Sequence, residues 1–261
     1  MSKYEQLRKH HISYLKICNN EISLGGGELS ISPENFILCS GSSNSFKYLV
    51  FFDSRGATVD QDGAQTIIRL LKNYFKSINA SYLIISKPLY LTVIPTLLSF
   101  CESTTFTFEN IITNVGFVDT TPKKQDTLLD LRSQLDYANI DYLYQYLCNY
   151  VLSNGSNEKL GTLSITRDGI LNISERLSKI KSRLYFINSP EIIDNTSFER
   201  KRPKCFFPQI INSNELVNRV FFGANGCLID ISSVGIATYD GVHYTEREHH
   251  ICFGAILSHI D

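Results

Sequence analysis

The sequence carries almost no net charge, and this limits the kinds of partner that it can bind. Lysine and arginine together number 25, and aspartate and glutamate 26, which gives a formal charge of −1. A protein that binds nucleic acid through a broad basic face needs an excess of cations, so no nucleic-acid partner is expected. With 261 residues of ordinary hydrophobic content, the chain can bury a substantial core.

Long apolar runs are also missing. No segment reaches the run of about 18 apolar residues that predicts a membrane span. Residues 90–100 form an apolar stretch that is too short and contains Pro95. Residues 1–20 mix charged and apolar residues and lack the apolar centre of a secretory signal. We therefore expect a cytoplasmic protein with no membrane span.

The patterns that bind metals and phosphates are absent as well. The seven cysteines are scattered and form no Cys-x-x-Cys pair, which favours reduced thiols over disulfides or zinc. Gly-Gly-Gly at residues 25–27 lacks the spacing of a phosphate loop and predicts a flexible turn. His243 and His249 are six apart and do not share a helical face, so no metal is expected. The sequence predicts no cofactor.

What the sequence does contain is a regular alternation of buried strands and amphipathic helices. Continuous apolar runs predict strands at residues 46–52, 81–86, 110–115 and 183–188. Apolar residues at helical spacing predict helices at residues 3–18, 61–78, 89–100, 122–150, 173–180, 212–222 and 244–260. This alternation predicts an α/β protein, a three-layer α/β/α sandwich with a mainly parallel central sheet.

The chain is interpreted as one domain over residues 1–261, because no internal repeat or linker is visible. Residues 1–45 precede the first strong strand and are expected to form an N-terminal extension. Residues 150–225 are the least regular part and are expected to form an inserted subregion or a lid.

Two polar motifs stand where a catalytic site is expected in such a fold. Ligands of parallel sheets bind at the carboxyl ends of the strands, and Ser54 directly follows the strand at residues 46–52. Asp240 and His243 lie three apart on a predicted turn before the last helix. A serine hydroxyl needs an imidazole to take its proton, and the imidazole needs a carboxylate to orient it. Together the three residues predict a Ser-His-Asp triad.

Each of these residues also has a purely structural interpretation. Ser54 could cap the next helix, and His243 could be bonded to backbone near the start of the last helix. Asp240 precedes a glycine, as many turn aspartates do. The joint pattern favours catalysis, because the three residue types are the ones that the chemistry needs.

The motifs resemble those of the SGNH hydrolases, also called GDSL-type esterases and lipases. The family's Gly-Asp-Ser motif is similar to Phe-Phe-Asp-Ser-Arg-Gly at residues 51–56, and its Asp-x-x-His motif to residues 239–245. A third motif, Gly-x-Asn-Asp, resembles residues 116–119. The resemblance covers residues 46–261, about four-fifths of the chain. It implies a flavodoxin-like fold of the SGNH hydrolase type, the triad described above and no cofactor.

Three features depart from the family's pattern. Phe52 replaces the glycine before Asp-Ser, and Val118 replaces the asparagine that the family uses to stabilise the oxyanion. The family's separate oxyanion glycine has no clear match. The Ser54 amide, with Asn114 or the Gly116 amide, is therefore expected to stabilise the oxyanion. Losing one such donor typically costs about 100- to 1000-fold in turnover.

Arg55 follows the predicted nucleophile and is expected at the rim of the crevice. There its guanidinium could bind a carboxylate or phosphate of the substrate, with simple solvation as the alternative.

The sequence thus predicts a serine esterase that removes an acyl group, such as acetyl, from a small or carbohydrate substrate. Two alternatives stay open. An O-acyltransferase would use the same triad in glycan modification. A non-catalytic binding module would retain the fold and lose the oxyanion site, and the Val118 replacement supports this alternative.

Overall fold

A mixed β-sheet forms the centre of the computed structural model of the protein. The structure describes residues 28–30, 36–40, 44–57, 63–86, 94–121, 123–124, 151–152, 160–162, 167–192, 209–238 and 242–260. The strands are β1 (Glu28–Ser30), β2 (Phe36–Ser40), β3 (Ser45–Phe52), β4 (Tyr82–Ser86), β5 (Thr107–Thr113), β6 (Lys123–Lys124), β7 (Val151–Leu152), β8 (Leu160–Thr162), β9 (Arg183–Ile187), β10 (Glu191–Ile192), β11 (Gly226–Ile229) and β12 (Gly235–Ile236). The helices are α1 (Ile67–Ser77), α2 (Ile94–Ser103), α3 (Phe117–Thr120), α4 (Arg167–Ser178), α5 (Gln209–Val220) and α6 (Glu246–Ile260), and a 3-10 turn spans Ser54–Gly56.

The central sheet has a flavodoxin-like order with two antiparallel strands at one edge. Within the described part of the chain, the order is β1-β2-β4-β3-β5-β9-β11, and the strands from β4 to β11 are parallel. Numbered along the chain, these parallel strands follow the order 2-1-3-4-5, which reverses between β3 and β5. Ligands of open parallel sheets bind at this reversal, outside the carboxyl ends of the strands. The predicted mainly parallel sheet is confirmed.

Helices cover both faces of the sheet, each over its own apolar core. Helices α1 and α6 pack on one face, together with Val50 and Phe52 of β3. Helices α2, α4 and α5 pack on the other face, together with Leu49 and Phe51. Successive residues of β3 thus enter opposite cores, as in a strand buried on both faces. The structure is the predicted three-layer α/β/α sandwich.

The predicted strands lie within three residues of the observed ones, whereas helix boundaries differ more. Helix α1 begins at Ile67 and not near residue 61. The Thr66 side chain accepts a hydrogen bond from Arg69 N and caps the helix there. Helix α4 begins at Arg167, six residues before the predicted start.

Several segments differ from the sequence prediction. Residues 36–40, placed in the N-terminal extension, form β2 and pair antiparallel with β4. Residues 226–229 form β11, which the sequence did not predict because the strand is short and begins with a glycine. Lys123–Lys124 form a strand where a helix was predicted. The rest of the helix predicted to end at residue 150, and the helix predicted at residues 3–18, lie outside the described residues.

The region at residues 150–225 contributes to the sandwich itself through α4, β9 and α5. Two small sheets lie apart from the central one: β6, β8 and β7 form one, and β10 pairs with β12. None of the helices that the structure describes is long and apolar enough to cross a membrane.

Phe52, which stands where the SGNH motif has glycine, is accommodated by a glycine on the other side of Ser54. The Phe52 side chain is fully buried, and a Cβ atom at Gly56 would lie 2.3 Å from its Cδ2 atom. The aromatic ring therefore fits only because residue 56 has no side chain.

Gly56→Ala is expected to lower the free energy of unfolding by about 1–3 kcal/mol, the usual cost of overpacking a core. Urea unfolding followed by circular dichroism measures the change. In a Phe52→Leu background the shorter side chain leaves more room, so the same substitution should cost less. An equal cost in both backgrounds would contradict this packing.

Candidate active site

The turn after β3 presents Ser54 at the carboxyl edge of the sheet. Asp53 directly follows the strand in an extended conformation, and its carboxylate accepts a hydrogen bond from Arg55 N at 2.9 Å. The cap of the 3-10 turn is thus Asp53 and not the Ser54 hydroxyl. Asp53 and Arg55 are buried, whereas Ser54 is partly exposed. Ser54 is therefore the accessible polar side chain of this turn.

His243 lies beside this serine, in the loop before α6. Its Nε2 atom is 3.3 Å from Ser54 Oγ, although the two residues are 189 positions apart in the chain. The hydroxyl can donate to Nε2 when the ring carries its proton on Nδ1. Catalytic hydrogen bonds are often this long before a substrate binds. Asp240 lies outside the described residues, so its place in the triad stays a prediction.

The loop that carries His243 is fixed at both ends. Thr238 and Tyr244 form an antiparallel bridge across it. After the loop, the Thr245 hydroxyl bonds to the Glu248 carboxylate, and this pairing of residues three apart fixes the first turn of α6. The fixed ends restrict where the imidazole can lie.

Helix α6 is anchored to the start of α1 by two of its side chains. Glu246 accepts a hydrogen bond from Gln65 N at 2.8 Å, and the fully buried His249 accepts one from Ile67 N at 3.3 Å through Nδ1. The amide at the first position of a helix has no partner within the helix, so the bond to His249 satisfies the amide of Ile67. Because α1 follows the serine turn and α6 follows the histidine loop, this anchoring brings the two loops together.

Asn114 follows β5 and joins it to the turn after β3. Its Oδ1 atom accepts a hydrogen bond from Asp53 N at 2.8 Å, and its Nδ2 atom donates to Asp53 Oδ1 at 2.9 Å. Both ends of the amide are thus bonded to Asp53. This predicted site residue connects the two strands between which the strand order reverses.

Gly116 lies two residues further on, in a conformation that favours glycine. Its φ is +117°, and a Cβ atom there would lie 2.4 Å from Val217 Cγ2 and 3.3 Å from Ser213 Oγ. Glycine is therefore required both by the backbone and by the close approach of α5.

Arg55 is buried, and its predicted position at the crevice rim is wrong. The side chain points inward, where Nη1 donates to Ser189 Oγ at 2.8 Å. Nη2 lies 3.5 Å from both Asp53 Oδ2 and Asn114 O. Consecutive residues of a 3-10 turn point about 120° apart. The turn that exposes Ser54 therefore directs the next residue into the protein, and a position after a strand end does not reveal this direction.

The other residues of the third motif have structural roles in the described fold. The Asp119 carboxylate accepts hydrogen bonds from Ile94 N at 3.2 and 3.4 Å, at the start of α2. The Val118 side chain packs against the apolar core and has no polar group to donate to an oxyanion.

Sequence reasoning missed two polar residues at the end of β9. Ser189 binds Arg55, and Asn188 bonds through Nδ2 to Asp230 Oδ1 at 2.7 Å and through Oδ1 to Ile231 N at 2.8 Å. Both residues lie at the end of a correctly predicted strand. The rule that selected Ser54, a polar side chain at the carboxyl end of a parallel strand, would have selected them as well.

Two other potential nucleophiles near the site stay neutral. Burial raises the pKa of Tyr244, and it raises the pKa of Cys252 to about 12. The nearby Arg55 charge lowers both pKa values, but by less than burial raises them. The Cys252 thiol is also only 1% exposed, so it is not expected to react as a thiolate.

Comparison with known proteins finds only distant structural likeness. No family model matches the chain, and no curated protein does. A carbohydrate esterase family 2 enzyme with a carbohydrate binding domain from Corynascus thermopiles (Myceliophthora fergusii) has a TM-score of 0.37 and 10% identity, over 81% of this chain and 64% of that chain. Est24, a carbohydrate acetylesterase from Sinorhizobium meliloti, has a TM-score of 0.39 and 15% identity, over 83% and 97%. An inhibitor-bound M. Smegmatis aryl esterase has a TM-score of 0.39 and 16% identity, over 81% and 95%.

The chain spans less than two thirds of the first of these structures. Likeness at this level is too slight to assign an activity, so the function proposed below rests on the geometry of the site.

Proposed function

We propose that the protein is a serine ester hydrolase in which Ser54 is the nucleophile, His243 the general base and Asp240 the carboxylate that orients the histidine. The observation that carries the proposal is the 3.3 Å separation of Ser54 Oγ and His243 Nε2. These atoms lie at the carboxyl edge of the sheet, beside the reversal of strand order where such folds bind ligands.

The reaction has two stages. Ser54 Oγ attacks the acyl carbon while His243 Nε2 takes the hydroxyl proton, and a tetrahedral oxyanion forms. As the intermediate collapses, the bond to the alcohol oxygen breaks, and His243 donates the proton to that oxygen. A water molecule then loses its proton to His243 and attacks the acyl-enzyme. Collapse of this second intermediate releases the carboxylic acid, and Ser54 recovers its proton.

The oxyanion needs hydrogen-bond donors at the same edge of the sheet. The Ser54 amide makes no hydrogen bond to another described residue. It is the first candidate, with the Gly116 amide as the second. The Asn114 amide group is bonded to Asp53, so it is a weaker candidate than the sequence motif suggests.

The proposed substrate is an acyl ester, most simply an acetyl ester, of a small alcohol or a carbohydrate. This part of the proposal rests on the resemblance of the sequence motifs to the SGNH hydrolases. The proposed location is the cytoplasm, because the seven scattered cysteines favour reduced thiols.

Reaction with a fluorophosphonate tests the nucleophile directly. The wild-type protein is expected to be labelled, and Ser54→Ala to lose all labelling, because only an activated serine reacts with this probe. Mass spectrometry of the peptides should place the label on Ser54. Ser258→Ala, which removes an exposed hydroxyl on α6, is the matched control and should be labelled as fast as the wild type.

The proposal is wrong if the folded wild-type protein takes up no probe and hydrolyses no aryl acetate. Labelling that persists in Ser54→Ala would place the nucleophile elsewhere.

A further inference from the structure

The two residues that flank Ser54 in the chain are charged and point into the protein. Asp53 is 0% exposed and Arg55 is 3% exposed. Arg55 Nη2 lies 3.5 Å from Asp53 Oδ2, so the two form a buried ion pair. Charged side chains almost never lie this deep unless they are paired. The two neighbours of Ser54 in the chain thus form an ion pair in the protein interior, next to the serine turn.

This ion pair joins the ends of three parallel strands. Asp53, at the end of β3, exchanges two hydrogen bonds with Asn114, at the end of β5. Arg55 donates at 2.8 Å to Ser189, which follows β9 and is 1% exposed. The strand ends that surround the site are thus connected by hydrogen bonds to a buried cation and a buried anion.

The guanidinium also contacts residues next to the other site groups. Its central carbon lies 4.0 Å from the ring centroid of Phe117, the neighbour of Gly116 in the chain. It lies 6.0 Å from the ring centroid of Tyr244, the neighbour of His243. Cations are attracted to aromatic faces at these distances. The Arg55 guanidinium therefore lies beside the three segments that carry the nucleophile, the second oxyanion candidate and the base.

Stability alone does not explain the buried pair. Charges lose their hydration on burial, so exchanging such a pair for apolar residues of similar volume is often neutral or stabilising. An apolar pair would fill this space without that cost. Apolar contacts do not fix the orientation of the groups that they join. Hydrogen bonds to charged groups fix both the angles and the distances between these groups.

We propose that Arg55 is a positioning residue, which acts through Asp53, Asn114 and Ser189 to hold the Ser54 turn within proton-transfer distance of the base. This inference rests on the function proposed above. Arg55 does not touch the substrate in this role. Its loss is therefore expected to lower kcat and the rate of fluorophosphonate labelling, and to leave KM nearly unchanged.

The test compares three variants, and a fourth, Arg55→Lys, is the conservative replacement. Ser189→Ala removes the hydroxyl that Arg55 Nη1 binds and leaves the backbone bonds of Ser189 to Asn214 in place. Arg55→Met removes the charge and keeps the length of the side chain. Ser213→Ala is the control, because Ser213 Oγ accepts a hydrogen bond from Ser189 Oγ at 3.4 Å, so its loss removes a buried neighbouring hydroxyl and keeps the Arg55–Ser189 bond. Crystal structures, labelling rates and aryl acetate kinetics are measured for each, with thermal melts to confirm folding.

Misplacement of a reacting group by about 1 Å can cost about 100-fold in rate. We expect Arg55→Met to show a loss of that order, Ser189→Ala a loss of roughly tenfold, and Ser213→Ala no change. The crystal structures of the first two should show Ser54 Oγ displaced from His243. Arg55→Lys, which keeps the positive charge but lacks the planar fork of the guanidinium, should recover part of the kcat lost in Arg55→Met.

The inference is overturned if Ser189→Ala and Arg55→Met both keep the wild-type kcat and their crystal structures show the Ser54 turn in its wild-type position. If Arg55→Met does not fold, Ser189→Ala and its structure decide the question. The crystal structures also separate this inference from the proposed function. A wild-type protein that takes up no probe and hydrolyses no aryl acetate refutes the esterase, whereas the position of Ser54 in the variants still supports or refutes the positioning role.

Discussion

Replacing His243 by alanine is expected to lower the turnover of an aryl acetate by about 10⁴-fold or more, the loss seen when a triad is disabled. Without the imidazole 3.3 Å away, the Ser54 hydroxyl has no base to take its proton. Fluorophosphonate labelling of Ser54 should slow to the same degree. Stopped-flow or plate-reader kinetics on p-nitrophenyl acetate measure the effect.

His250→Ala is the matched control for this experiment. His250 is exposed on α6, seven residues from His243, and should be replaceable with no change in turnover. Circular dichroism spectra of both variants should match the wild type. Turnover in His243→Ala within tenfold of the wild type would show that the base is a different group.

The largest effect on stability is expected for Gly116→Ala. The added Cβ atom would meet Val217 Cγ2 at 2.4 Å, and the backbone would have to keep a φ of +117°, which residues with side chains rarely adopt. Backbone strain of about 1–3 kcal/mol and overpacking of about 1–3 kcal/mol together predict a loss of about 2–6 kcal/mol in the free energy of unfolding. Chemical denaturation with urea measures this loss.

Gly254→Ala is the control, because Gly254 is exposed on α6 and a Cβ atom there would meet nothing within 4 Å. Alanine is the better helix former, so this variant should gain up to about 1 kcal/mol. A Val217→Ala background should recover only part of the stability lost in Gly116→Ala, since the strain in φ remains. Full recovery would show that the clash alone matters.

The parallel strands could be predicted because each is an apolar run buried on both faces. Leu49 and Phe51 of β3 enter one core, and Val50 and Phe52 enter the other. Strand β2 could not be predicted in the same way. It lies between the edge strand β1 and β4, and its pairing with β4 depends on residues more than 40 positions away. Local pattern carries no information about such a partner.

The site likewise has features that local sequence predicts and features that it does not. Ser54 and His243 could be selected from the sequence, because a strand end and an Asp-x-x-His turn are local patterns with a known chemistry. Their 3.3 Å approach depends on the anchoring of α6 to α1 through Glu246 and His249, which no local pattern shows. The burial of Arg55 could not be predicted either, because it follows from the 3-10 turn and from the partner Ser189.

The sequence by itself determined the alternation of strands and helices, the layered fold and the candidate nucleophile and base, because periodicity and residue type are local properties. Only the tertiary structure decided the strand order 2-1-3-4-5, the meeting of Ser54 with His243, and the buried ion pair beneath the serine. These features depend on which distant segments pack together, and that is determined by burial summed over the whole chain.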